Sequence, residues 1–347
     1  YVLALRWSAL DADNQTVLAG LQANQAQNVA ELQQAFGHYH SPMQSIVMAD
    51  VDGAIAFKAA GKVPLRHADN DLRGVAPAPG WDARYDWQGW LSDAQTPQDD
   101  GAQRGWIATA NQRITAPGYA HFLTQDWHLP YRYDRIAQLL EARPLHDLDS
   151  LAAIQTDVTS LATQRLLPAL RAAATEADHP LAAQTAQLLR TFDGRMDAQH
   201  SAPLVFAAWA DELARGLIVP RIGNARFAAT YGKRDFRAAL EGILARDDGW
   251  WCAPRSCAEQ SAQALERALD RLQSAYGARP AQWRWGQAHP AVSSHRPLGS
   301  VAALARFFNV QTPSSGDGYT VNVGQYNAGD IAGGAFANRH AASLRGL

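Results

Sequence analysis

The stretch "GWIATANQRI", residues 105–114, decides how the chain is read. A run containing Trp106, Ile107 and Thr109 leads, with no turn residue, into two adjacent primary amides, Asn111 and Gln112. Aromatic and β-branched residues favour a pleated strand, so the pattern predicts an inner strand that ends on amides. Two explanations compete. One is a strand end capped by side-chain hydrogen bonds. The other is a donor aimed at a reacting atom: an amide is neutral and always a donor, so it meets developing negative charge with no pKa to tune.

Composition narrows the setting. The chain has 347 residues, 47% hydrophobic and 18% charged, an ordinary globular composition with enough length for a sizeable core. A net charge of -2 leaves no broad basic field for phosphate backbones or anionic lipid, which argues against nucleic-acid and membrane partners. No apolar run approaches about 18 residues, so no transmembrane helix is predicted. The chain has no Met start and opens inside an apolar segment, "YVLALRWSAL", so it reads as a piece of a longer product. Cys252 and Cys257, in "WWCAPRSC", enclose a short turn-like loop with Pro254 and Ser256. A local disulfide is sterically reasonable there; the alternative is two reduced cysteines. C-x4-C with no second Cys/His pair nearby is not a zinc pattern. The disulfide implies an oxidising compartment, so a periplasmic or secreted protein.

Three regions emerge. Residues 1–145 are mostly strand-like. In "SIVMADVDGAIAFKAAGKVPLR" the "DVDG" between apolar stretches signals a hairpin. "NVAELQQAFGHY" has helical spacing through Val29, Leu32 and Phe36, with Gly37 as a stop. A second helix begins in "PYRYDRIAQLLEA", through Ile136, Leu139 and Leu140. Residues 146–280 form a helical block holding the cysteine loop. It includes one long helix with Leu151, Ile154, Val158, Leu161 and Leu166 near one face, a helix ended by Pro220, and a clean amphipathic helix ended by Gly277. Residues 281–347 return to loops and short strands. Strands, a helical block and strands again predict an α+β fold with a helical insertion.

The common catalytic motifs GxGxxG, P-loop, HExxH and GxSxG are absent from the sequence. His38 and His40 read as a surface pair, since no third metal ligand accompanies them. Asp50 and Asp52 lack the later oxygen ligands of a calcium loop and read as a hairpin turn. The tryptophans between 81 and 106 offer a sugar-binding surface or, more simply, packing aromatics.

What remains is an ordered series of segments. "ADVDGAIAFKAAGKVPLR", "PAPGWDARYDWQGWL", "GWIATANQRI" and "DWHLPYRYDRIAQLL", then "WRWGQAHP", "GDGYTVNVGQYN" and "FANRHAASLR", together resemble the β-chain of the penicillin acylase family. These are N-terminal nucleophile hydrolases, and the series is most similar to the branch that cleaves acyl-homoserine lactones. The resemblance implies an αββα four-layer sandwich, of which this chain is only part, and hydrolysis of a linear amide bond. It implies a nucleophilic serine upstream of Tyr1, released by self-cleavage, and a partner α-chain from the same precursor. No serine of this chain is recommended as nucleophile; Ser8, Ser41 and Ser45 carry no motif. Two catalytic positions carry over: Asn111 as an oxyanion-hole donor, and Arg132 as the residue that orients it. Arg135 is the neighbour most easily confused with Arg132, and the competing reading of Arg132 is a structural ion pair. Met43, Gln44 and Leu21, with Gly20 beside it, fall near positions that line the acyl pocket in such enzymes. No cofactor is certain. The carboxylate of the calcium site in some relatives falls here near His121, with Asp126 close by, so a structural calcium ion would draw most ligands from outside the chain.

The resemblance implies an acylase for N-acyl-homoserine lactones, with β-lactam antibiotics as a further substrate class. The close alternative is a penicillin or cephalosporin acylase preferring an aromatic or dicarboxylic side chain. The alternative from another class is a non-catalytic ligand-binding protein that uses the tryptophans.

Overall fold

The computed structural model describes residues 2–231, 236–327, 335–342 and 344–346. The chain divides into two units, Tyr1–Tyr133 and Asp134–Leu347.

The first unit is built around the expected hairpin. Strands β1 (Gln44–Ala49) and β2 (Ile55–Ala60) pair antiparallel from Gln44 opposite Ala60 to Ala49 opposite Ile55. Asp50 organises the turn. Its Oδ1 accepts from the backbone N–H of Asp52 at 3.1 Å and of Ala54 at 3.0 Å. Its Oδ2 accepts from Val29 N–H at 3.1 Å, at the start of the helix Val29–Phe36. One carboxylate thus ties the hairpin to the helix that covers it, and Val29, Met48 and Ala56 pack beneath with Leu32, Phe36 and Ile46. β3 (Pro64–Arg66) pairs with β4 (Trp87–Trp90) in a second, two-stranded sheet, and β5 (Gln98–Asp99) adds to the free side of β2. Buried Lys58 of β2 is neutralised by Asp93 at 2.6 Å, as a buried ammonium must be.

The second unit packs three long helices, Leu161–Glu176, Ala202–Ile222 and Cys257–Tyr276, into one core. Every residue from Ala202 to Asp211 is buried, the behaviour of a helix that is apolar all round. The Trp209 indole N–H, which cannot stay unpaired there, donates to Ser261 O at 3.1 Å. Cys252 and Cys257 form the disulfide. A four-stranded sheet follows, with β6 (Pro290–Ser293), β7 (Val310–Pro313), β8 (Gly324–Tyr326) and β9 (Asn338–Ala341) in the order β7-β6-β9-β8.

Several local expectations are corrected. Residues 105–114 form no strand: the N–H of Ala110 is taken by the Gln112 side chain and Asn111 turns left-handed, so the run cannot continue in a ladder. The opening segment forms a short 3-10 turn at Ser8–Leu10, and a helix unread in the sequence covers Thr16–Ala23. The single helix through Leu151 and Leu166 is two, Leu148–Gln155 and Leu161–Glu176. Between them Met196 N–H donates to Val158 O and Ser160 N–H to Gly194 O, and the Ser160 side chain then caps the second helix. Pro220 does not end its helix, which runs to Ile222; Gly223, at φ 82°, makes the stop. His40 is not on the surface: it is 4% exposed, and its Nδ1 accepts from Gln15 N–H.

Two outcomes follow. Replacing both cysteines by alanine frees a short loop and lowers the stability of the intact protein by about 2 kcal/mol on loop entropy, read from denaturant midpoints. Asp50 makes the second case. Its pKa lies below the ordinary carboxylate value, first through the Val29 N–H and then through the Ala54 N–H. A depressed folded pKa contributes stability above the unfolded value and loses it as pH falls through the folded one. The stability deficit of Asp50→Asn is therefore present at pH 7 and shrinks on acidification to pH 3.

Candidate active site

Residues 110–112 form a tight backbone reversal. Gln112 Oε1, buried, accepts from the N–H of Ala110 at 2.7 Å. Asn111 has φ 65°, in the left-handed region that asparagine tolerates better than most residues, and its backbone O accepts from His128 N–H at 2.9 Å. The two adjacent amides thus divide the competing roles: Gln112 is the cap, and Asn111 projects an exposed side chain.

Arg132 lies in the first turn of the helix Tyr131–Glu141. Its Nη2 donates to Ala110 O at 2.8 Å and to Asn111 Oδ1 at 2.8 Å. Burial pulls its pKa below the usual guanidinium value, although a guanidinium stays protonated in proteins. No carboxylate lies within ion-pair distance of Arg132 among the described residues. Because a guanidinium only donates, the Asn111 atom facing it is the carbonyl oxygen, and the NH2 end is turned away from Arg132. Arg135 differs. It is bidentate on Asp157, with Nε at 3.0 Å from Oδ1 and Nη2 at 2.8 Å from Oδ2, and that hydrogen bonding raises its pKa. The structural ion pair belongs to Arg135.

A cleft of about 450 Å³ opens beside this reversal. Gln112 to Ala116 form one wall, with Phe57, Ile107, Tyr119 and Tyr133 among the others. Asn111 and Arg132 are not in its lining. Neither are Met43, Gln44 and Leu21: all three are exposed, Gln44 opening β1, Met43 just before it and Leu21 on the helix Thr16–Ala23. Phe57, Tyr119 and Tyr133 gave no sequence signal, since nothing local distinguishes a cleft aromatic from a core one.

Among the described residues no group of three or more His, Cys, Asp or Glu is placed to hold a metal ion. His121 turns its Nε2 to Gln95 Nε2 at 3.4 Å and its ring edge to Tyr119. The described residues therefore do not by themselves fit a calcium ion. No hydroxyl of Ser8, Ser41 or Ser45 is hydrogen-bonded to a histidine or carboxylate among the described residues.

The family model "Penicillin amidase" matches residues 1–347. An acyl-homoserine lactone acylase QuiP from Pseudomonas aeruginosa is 29% identical over 365 residues, covering 95% of this chain and 42% of the relative. The penicillin acylase 2 proenzyme from Pseudomonas sp. strain SE83 is 31% identical over 302 residues, covering 85% of this chain and 38% of the relative. The chain thus spans about two fifths of the length of these relatives. Among solved structures, a thermostable penicillin G acylase from Alcaligenes faecalis superposes with a TM-score of 0.63 at 23% identity, over 80% of this chain and 54% of that chain. That likeness bears out the α+β fold of the N-terminal nucleophile hydrolases. By a family match along its whole length, this chain belongs to the penicillin amidase family.

Proposed function

We propose that the protein containing this chain is an amidohydrolase that removes the acyl group from N-acyl-homoserine lactones. The observation that carries this reading is the lock of Arg132 on Asn111. It fixes which end of the amide is the donor, and an exposed, pre-oriented N–H of this kind is what a tetrahedral oxyanion needs. In this reading a serine upstream of the chain attacks the amide carbonyl, with its own α-amine moving the proton. The Asn111 NH2, with a backbone N–H from outside the chain, holds the oxyanion. The acyl-enzyme is then hydrolysed. Arg132 touches no substrate; it is a positioning residue that keeps the Asn111 carbonyl occupied.

The lactone is favoured by the several similar proteins named acyl-homoserine lactone acylases. A second reading, a penicillin acylase, is favoured by the relative and the solved structure that carry that name. Met43, Gln44 and Leu21 are proposed acyl-contacting residues that act together with segments outside this chain. An α-chain from the same precursor is the proposed partner. A calcium ion, if one is bound, takes its ligands chiefly from those outside segments. The disulfide supports a periplasmic or secreted location, and no helix among the described residues is long and apolar enough to cross a membrane.

Asn111→Ala in the processed two-chain enzyme is expected to lower kcat on N-octanoyl-homoserine lactone by about 10² to 10³, the worth of one oxyanion donor. Near-normal kcat would remove Asn111 from the mechanism. Arg132→Ala is expected to lower kcat with little change in KM. Combined with Asn111→Ala it should add almost nothing, because residues acting as one unit are not additive. A fully additive double variant would show that Arg132 works elsewhere.

A further inference from the structure

We propose that Gln112 is a second positioning residue for the amide hydrolysis: its side chain sets the backbone torsions of Asn111, while Arg132 sets the direction of the Asn111 amide. This rests on the amidohydrolase reading above and adds to it a residue that touches no reacting atom.

The bond from Ala110 N–H to Gln112 Oε1, at 2.7 Å, closes a ring. The ring runs along the main chain of residues 110–112 and back down the Gln112 side chain. Both backbone torsions of Asn111 lie inside it, so ring closure restricts φ and ψ together. The other contacts restrict less. Arg132 Nη2 bridges Ala110 O and Asn111 Oδ1; that path contains Asn111 φ and its side-chain torsions but leaves ψ free. His128 N–H holds Asn111 O from outside the turn. Among the described residues, the Gln112 bond is the contact that spans Asn111 from one side to the other along the main chain.

Burial makes that bond hard to replace. Ala110 is 6% exposed and Gln112 8%, so without the side-chain oxygen the Ala110 N–H loses its partner where water is scarce, which is costly. Opening the turn relieves the cost. The run before it, with Trp106, Ile107 and Thr109, favours extended backbone, and Asn111 at φ 65° gives up its strain by leaving the left-handed region. Either change carries the Asn111 amide away from the place where an oxyanion would meet it. The residue type fits the task. Asparagine is one methylene shorter on the path back to Ala110, and glutamate would set a negative charge one residue from the donor of an oxyanion site. A neutral amide of glutamine length accepts the N–H and adds no charge. Gln112 also lines the cleft beside the reversal, so the rival role is substrate contact, which binding rather than turnover would report.

The test uses the intact processed enzyme and two variants. Gln112→Met keeps much of the side chain's length and loses the acceptor; Gln112→Glu keeps an acceptor. Crystal structures should show Asn111 out of the left-handed region in Gln112→Met and still within it in Gln112→Glu. Asn111 unmoved in Gln112→Met, or moved equally in both, overturns the proposal whatever the activity. Where Gln112→Met does not accumulate as processed enzyme, Gln112→Asn takes its place. With N-octanoyl-homoserine lactone, Gln112→Met should lower kcat by about 10- to 100-fold, the effect of a small misplacement of a catalytic group, with KM within twofold. Combined with Asn111→Ala it should cost little beyond Asn111→Ala alone. A loss carried by KM assigns Gln112 to substrate contact, and full additivity assigns it a separate task; either result overturns the positioning role, as does a normal kcat. An inactive parent enzyme counts against the amidohydrolase reading, and the crystallographic comparison then still decides whether Gln112 sets the backbone of Asn111.

Discussion

One nitrogen, Nη2 of Arg132, donates at 2.8 Å to both Ala110 O and Asn111 Oδ1, and the candidate site depends on that convergence. A backbone carbonyl and the side-chain carbonyl of the next residue meet at one donor only when the chain between them is sharply turned, as it is with Asn111 at φ 65°. A left-handed non-glycine residue costs free energy and persists where its surroundings over-determine it. Here three contacts do so: Gln112 Oε1 on Ala110 N–H, His128 N–H on Asn111 O, and the guanidinium itself. The result is a neutral donor whose direction is set by a charge that need not touch substrate.

Much of the local structure was legible because its signals are local. The "DVDG" turn is one case: Asp50 can bond the amides two and four residues on without help from elsewhere. The helix Cys257–Tyr276 is another, with Ser256 and Glu259 closing a capping box at one end and Gly277 at φ 85° ending it. The cysteine loop is a third, since five residues of separation leave little else to decide. The failures share the opposite property. A strand needs a partner, and nothing within residues 105–114 says whether one is there. The break between Gln155 and Leu161 is made by Gly194 and Met196, far along the chain. Nor does the spacing of His38 and His40 tell that Gln15 will meet both of them, His40 through its backbone N–H and His38 through its side-chain oxygen.

The site was legible in a different way. Asn111 and Arg132 stood out by resemblance to a family and by their order in a series of segments. No local pattern links residues 21 positions apart. Structure adds the orientation: resemblance names an amide, whereas the guanidinium beside it decides which of its ends faces outward. It adds a division too, because the bland reading of "NQ" as a cap is right for Gln112 and does not apply to the Asn111 side chain.

The arginines between 104 and 135 carry this furthest. In the sequence they are four similar cations near one motif. In the fold they are separated by the class of their partner. Arg135 is bidentate on Asp157 and Arg104 is held by Asp99; a carboxylate consumes the charge and leaves a structural tie. Among the described residues Arg132 meets only uncharged oxygens, so its charge polarises an amide without being cancelled. Arg113 has a hydroxyl on Nε, which steadies it and satisfies little of its charge. A half-buried cation without an anion, as Arg132 is, carries a desolvation cost, whereas Arg113 is exposed and keeps its water. The same residue type thus acts as tie or aligner, and the difference lies in what faces each guanidinium, which sequence spacing alone does not record.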